Sequence, residues 1–245
     1  MANKYFPTLI ICAGGSGIKI GRYLQSVGDA GLDPDLKQRL DNGSIQIVGI
    51  DTDSKSNEKV MPIDPNLLDA KDTPEGEREK IPTHLTRLPR NWLHLDRAAL
   101  NHAVERVHEI ISPGDQVHQE ESNYHEPLAT IRRWFPLKNE KTGDQITKGH
   151  SKNSGAAQWR PLGRMSLFLN SQRIYETLFK AFKIVQQSDP EMGPVQAYIT
   201  CSLAGGTGSG MFWDLAFFLQ MIDPSTRTSG LFLLGDPFEG VDEAG

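Results

Sequence analysis

The sequence predicts an α/β fold, a mainly parallel sheet with helices on both faces. Three observations carry that prediction. Two apolar runs rich in β-branched residues, 8–12 and 45–50, flank a segment with helical periodicity, and a strand–helix–strand order favours parallel pairing with a right-handed crossover. Strand and helix patterns alternate again over 195–202, 211–222 and 230–235. Of 23 glycines, eight crowd into the windows 14–21 and 205–210, each where a strand gives way to a helix.

Each element follows from its local pattern. Residues 8–12, bounded by Pro7 and by glycines, read as a buried strand. Ile20, Leu24 and Val27 recur at i, i+4 and i+7, the inward stripe of a helix ending near Gly28. Residues 45–50 form a second buried strand that ends in Asp51, Thr52 and Asp53. The stretch 55–154 is polar, punctuated by proline and carries all seven histidines. It reads as an insertion with one helix, from Asp96 as N-cap to Ile111, and with a mobile surface loop over 138–154. Regular structure resumes with a helix over 162–187, whose stripe is Leu167, Ser171, Ile174, Leu178, Phe182 and Val185. A strand over 195–202 follows. Residues 211–222 are apolar nearly all round, as in a helix packed on both sides, and 230–235 reads as a buried strand. The chain is thus one domain over 1–245, with its core at about 8–54 and 155–240.

Composition removes several function classes. A net charge of −5, from 26 basic and 31 acidic residues, gives no footprint for nonspecific binding to nucleic acid. Two cysteines, Cys12 and Cys201, are too few for a disulfide framework or a four-cysteine zinc site, and each ends an apolar run as a buried thiol does. No signal peptide is apparent, and 211–222, broken by Asp214 and Gln220, is too short to span a bilayer. A soluble, cytoplasmic protein is expected. Glu105 and His108 have one carboxylate–histidine spacing, but a single such pair is better read as a solvated face. Arg132, Arg133, Trp134 and Phe135 mix basic and aromatic residues as single-strand binders do. In this acidic chain they read instead as a helix end with a buried aromatic pair.

The two glycine loops carry the functional signal. Gly14, Gly15, Ser16 and Gly17 lie between a strand and a helix, and so do Gly205, Gly206, Thr207, Gly208, Ser209 and Gly210. Glycine lets a backbone approach a ligand without an intervening Cβ, and helix N-terminal N–H groups attract anions. Two such loops at one sheet edge make a polyphosphate cradle. Neither is a Walker A loop, since no Lys-Ser/Thr follows the glycines. The first is half of a dinucleotide fingerprint, with Ile20 where the third glycine belongs and with Asp51 ending the next strand. An NAD(P)-dependent oxidoreductase of Rossmann type is therefore an alternative, in which the second loop has no role.

Residues 13–21 resemble the first phosphate loop of tubulin, A-G-x-x-G-x-x-I-G. Residues 204–211 resemble the G-G-G-T-G-S-G loop shared by tubulins and FtsZ. Gly155 and Ala156, followed by Trp159, Gly163 and Arg164, are similar to the loop that meets the terminal phosphate in that superfamily. Asp51-Thr52-Asp53 resembles the N-T-D end of the second FtsZ strand, and 236–240 resembles K-P-F-x-F-E-G. The chain is thus identified as similar to the nucleotide-binding half of tubulin/FtsZ proteins, with a Rossmann-like sheet of the GTPase-domain type and a large insertion. The resemblance implies GTP or GDP with Mg²⁺ as ligands. Gly14, Gly15, Ser16, Gly17 and the 205–210 loop would hold the α- and β-phosphates, with the hydroxyls of Thr207 and Ser209 adding contacts. Gly155 and Ala156 would sense the γ-phosphate, Thr52 would line the site, and Asp51 or Asp53 would face Mg²⁺ through water. Glu239 would take the ribose hydroxyls, and Pro237 of the same stretch would belong to the nucleotide site. Lys19 stands where tubulin has glutamine, and Glu243 where FtsZ has an arginine. The resemblance further implies head-to-tail self-association into filaments. Hydrolysis would need a C-terminal activation domain beyond residue 245 or a neighbouring subunit. A non-hydrolysing scaffold that binds protein partners through 55–154 is the remaining alternative.

Overall fold

The computed structural model describes residues 5–53, 61–62, 84–85, 89, 91–95, 134–135, 156, 159–188 and 193–234. In chain order the elements are β1 (Thr8–Ala13), α1 (Gly14–Asp29), α2 (Pro34–Asp41), β2 (Ile45–Asp51), and the two-residue strands β3 (Met61–Pro62) and β4 (His84–Leu85). They continue with β5 (Asn91–His94), α3 (Arg160–Leu169), α4 (Ser171–Ser188), β6 (Gln196–Ser202), α5 (Gly206–Ile222) and β7 (Arg227–Leu233). Five strands build one sheet in the order β5-β2-β1-β6-β7, with every neighbouring pair parallel. β3 and β4 form a separate antiparallel pair.

Side-chain alternation along the strands explains the layers. Leu9, Ile11 and Ala13 of β1, Val48 and Ile50 of β2, and Ala197, Ile199 and Cys201 of β6 share one core with Leu178 and Phe182 of α4 and Met211, Leu215 and Leu219 of α5. The intervening Cys12, Ile45 and Ile47 face Ile18 of α1 and Leu40 of α2 on the other side. Each such Leu, Ile or Phe contributes roughly 1.5–3 kcal/mol on burial. The expected sheet with helices on both faces is therefore present.

Five details depart from the sequence reading. First, the inward face of α1 is not Ile20, Leu24 and Val27, which are half-buried, but Gly17, Ile18, Gly21, Arg22 and Gln25. Glycine brings the helix so close to the sheet that a Cβ at Gly21 would stand 2.7 Å from Cys12 Sγ. Second, the helix expected over 162–187 is two helices broken at Asn170, whose side chain donates to Ser166 O at 2.9 Å. Third, the stretch 55–154 gives the main sheet β5, its edge strand among the described residues, and buries Pro89 and Phe135. Fourth, α5 begins at Gly206, inside the glycine loop, and exposes Trp213, Phe217 and Met221 instead of packing all round. Fifth, among the described residues β7 is a sheet edge with Leu231, Phe232 and Leu233 exposed, not a buried strand. α2 was not anticipated, although Asp33 caps Leu36 N at 2.9 Å and Pro34 opens its first turn. The helix expected from Asp96 and the loop expected over 138–154 lie outside the described residues.

Candidate functional site

β1 and β6 are adjacent parallel strands, and the chain leaves their C-terminal ends into α1 and α5. After β1 the chain moves to one side of the sheet, while β6 leads to the other, so the two helix starts flank the switch point where open α/β sheets bind ligands. Neither N-terminus is closed by a side chain. Ala13 and Gly205 are extended N-cap residues without a side-chain cap bond, and no acidic residue lies in either first turn. The early N–H groups of both helices thus present partial positive charge at one place.

The loops abut. Gly14 adopts φ +71°, a conformation that disfavours L side chains, and a Cβ there would stand 2.9 Å from Gly208 N. The remaining glycines sort into two kinds. Cβ atoms on Gly17, Gly208 and Gly210 would strike Thr200 O, Ala13 O and Arg160 O respectively, and one on Gly163 would strike Gly206 O. These glycines seat α1 on the sheet and α3 against α5. A Cβ on Gly15 would meet only Asp51 Oδ2, at 3.9 Å, and one on Gly205 would meet nothing within 4 Å. Gly15 and Gly205 therefore border open space without a packing reason for lacking a side chain.

Thr52 links the loops to the end of β2. Its hydroxyl lies 2.7 Å from Thr207 Oγ1 and accepts the Ala156 N–H at 3.0 Å, while its own N–H donates to Asp51 Oδ1 at 2.8 Å. Asp51, Thr52, Ala156, Thr207 and Ser209 are buried. Ser209 Oγ donates to Gly205 O within α5. Ser16 is half-buried, and Lys19 is exposed on the second turn of α1. The structure therefore brings Gly14, Gly15, Ser16, Gly17, Asp51, Thr52, Ala156 and the 205–210 loop together. Gly155, Pro237 and Glu239 lie outside the described residues.

Two neighbours of the site escaped the sequence reading. Arg160, in the first turn of α3, donates to Leu203 O at 3.1 Å and sets a guanidinium beside the 203–205 turn. His94 ends β5 in register with Asp51. The signal for Arg160 was available, since Arg160-Pro161 is a helix opening. Arg164 is instead engaged away from the loops, forking onto Asp214 at 3.0 and 3.1 Å with Trp134 against its plane at 4.9 Å.

The chemistry on offer is anion binding. Burial pushes the thiols of Cys12 and Cys201 up to about 12 and about 11, so neither is a nucleophile at neutral pH. Among the described residues no cluster of three or more His, Cys, Asp or Glu could hold a metal ion. Asp51 Oδ2 stands 3.9 Å from the place a Cβ on Gly15 would take, and Asp53 follows two residues after the end of β2; carboxylates are a donor type that would suit a hydrated Mg²⁺. A cavity of about 360 Å³ between α5 and β7, lined by Phe212, Trp213, Phe217 and Phe232 among others, lies away from these donors and is chiefly apolar. No helix among the described residues is long and apolar enough to cross a membrane.

A family model described as tubulin-like matches residues 9–245. No curated protein and no solved structure matches the chain.

Proposed function

The chain belongs to the tubulin-like family, and from that premise we propose that it binds GTP or GDP with Mg²⁺ and that the nucleotide gates head-to-tail self-assembly in the cytoplasm. The observation that carries this reading is the meeting of two helix N-termini, uncapped by side chains, at one switch point. A polyphosphate laid across them would accept N–H groups from α1 and α5 at once, and hydrogen bonds to a charged acceptor contribute about 1.5–3 kcal/mol each. Gly15 and Gly205 are the positions where the backbone stands open to such a ligand. Asp51 and Asp53 would hold Mg²⁺ through water, and the ion would supply positive charge against that of the phosphates. From the family resemblance, Gly155 with Ala156 would meet the γ-phosphate, Glu239, two residues after Pro237, would take the ribose hydroxyls, and Lys19 would add a cation near the base or the α-phosphate. Hydrolysis belongs to this proposal only with a catalytic acid from outside residues 1–245, in a C-terminal domain or a neighbouring subunit.

Sedimentation of the purified protein with GTP, with GDP and with neither tests the assembly, and mass spectrometry of ligand released from native protein tests the occupancy. Pelleting that depends on GTP, with guanine nucleotide released, supports the reading. Native protein that carries NAD(P), or that captures partners through 55–154 while holding no nucleotide, supports one of the two alternatives instead.

A further inference from the structure

We propose that Thr52 is a positioning residue, whose buried hydroxyl ties Ala156 to the first turn of α5 and turns the Thr207 hydroxyl proton toward a bound phosphate. This rests on the nucleotide-binding reading and deepens it. One hydroxyl joins segments 155 and 104 residues away from it, through Thr207 Oγ1 at 2.7 Å and Ala156 N at 3.0 Å. A threonine hydroxyl carries one proton and two lone pairs. The Ala156 N–H occupies a lone pair of Thr52. Thr52 is 1 % exposed, and among the described residues Thr207 Oγ1 at 2.7 Å is the acceptor its hydroxyl meets.

Either hydroxyl of the pair can donate, and we take Thr52 as the donor, which gives the chain one order. Ala156 N–H donates to Thr52, Thr52 donates to Thr207, and Thr207 keeps its own proton for a further acceptor. Thr207 stands in the first turn of α5, where the helix N–H groups also point, so its proton adds to the same anion site. The Thr52 backbone is held as well, by the bond from its N–H to Asp51 Oδ1. Thr52 thus need touch no ligand to act. It sets which way Thr207 donates and how far Ala156 stands from the loops.

The test is a double-mutant cycle on GDP affinity with Thr52→Val and Thr207→Val, and with Thr52→Ser as the conservative control. Because Thr52 works through Thr207, each valine variant should weaken GDP about tenfold, and the double variant about tenfold as well rather than a hundredfold. Thr52→Ser should bind within about twofold of the parent, since it keeps the hydroxyl. A Thr52→Val protein that binds like the parent, or single effects that multiply in the double variant, overturns the proposal. Should Thr52→Val fail to fold, Thr207→Val carries the test against Thr207→Ser, and equal GDP binding by those two overturns it. A parent that binds no GDP overturns the nucleotide reading itself, an outcome distinct from multiplicative losses in a parent that does bind.

Discussion

Alanine at Gly205 and at Gly208 should act on different properties, although the two glycines sit three residues apart in one motif. At Gly208 the new Cβ would stand 2.5 Å from Cys201 Cβ and 2.6 Å from Ala13 O. Both neighbours belong to the central strands β6 and β1 and are essentially unexposed, so neither can yield cheaply. Overpacking of this kind costs about 1–3 kcal/mol, offset by up to about 1 kcal/mol of helix propensity gained on losing glycine. A net loss of about 1–2 kcal/mol should lower the urea midpoint by about 0.5–1 M. At Gly205 no atom lies within 4 Å and the backbone, φ −78° and ψ 153°, is one alanine adopts freely. Its stability should change by less than about 1 kcal/mol, the difference between glycine and alanine as N-cap. Its methyl would nonetheless stand beside the open end of α5, and GDP affinity should fall about tenfold or more. Urea unfolding and GDP titration of both variants decide the matter. A Gly208→Ala protein as stable as the parent, or a folded Gly205→Ala protein with parental affinity, would refute the division of glycines into packing and cradle positions.

Arg164→Lys keeps the charge but loses the two-pronged contact with Asp214 and the stacking on Trp134; because the Arg164 side chain is 39 % exposed, the loss should be only about 0.5–1 kcal/mol. An unchanged unfolding midpoint would show that this pair does not hold α3 to α5. Cys12 and Cys201 should resist thiol reagents at pH 8 in the native protein and react once urea unfolds it. Because burial raises both thiols above the ordinary value of 9.0, to about 12 and about 11, the associated stability is complete below pH 9 and is lost as pH rises toward those values. Rapid labelling of folded protein at pH 8 would contradict that burial. Gly21→Ala should loosen α1 from the sheet, since its Cβ would stand 2.7 Å from Cys12 Sγ and 3.2 Å from both Ile47 Cγ2 and Pro89 Cγ. Faster Cys12 labelling in this variant is the expected readout, and unchanged labelling speaks against close seating by Gly21.

Much of this architecture is legible in the sequence because local pattern and tertiary packing agree. β1, β2 and β6 are apolar enough to announce themselves, and Ile174, Leu178, Phe182 and Val185 are all buried at helical spacing as read. The failures have physical causes. β5 reads Asn-Trp-Leu-His, too short and polar to signal a strand, and is held by its pairing with Val48 to Asp51. α5 extends into the glycine loop because Gly208 and Gly210 permit close packing, an advantage that outweighs their poor helix propensity. The α1 stripe is rotated for the same reason, since glycines on a close-packed face leave no apolar periodicity to read. The apolar run of β7 promised burial, but among the described residues it is a sheet edge. For the site, the sequence named Thr52, Ala156 and Thr207, yet no spacing could show that residues so far apart share one hydroxyl. Nor could it separate Gly205 from Gly208, a distinction that exists only in three dimensions.

The central claim is that two abutting helix N-termini form one guanine-nucleotide polyphosphate site. It is tested most directly by equilibrium titration of the purified chain with labelled GTP, with and without Mg²⁺, beside labelled NADH. The account predicts saturable binding of GTP at one site, competed by GDP, weakened by chelation of Mg²⁺ and by Gly205→Ala, with no saturable binding of NADH. Saturable NADH binding, or the absence of saturable GTP binding by folded protein, would contradict it.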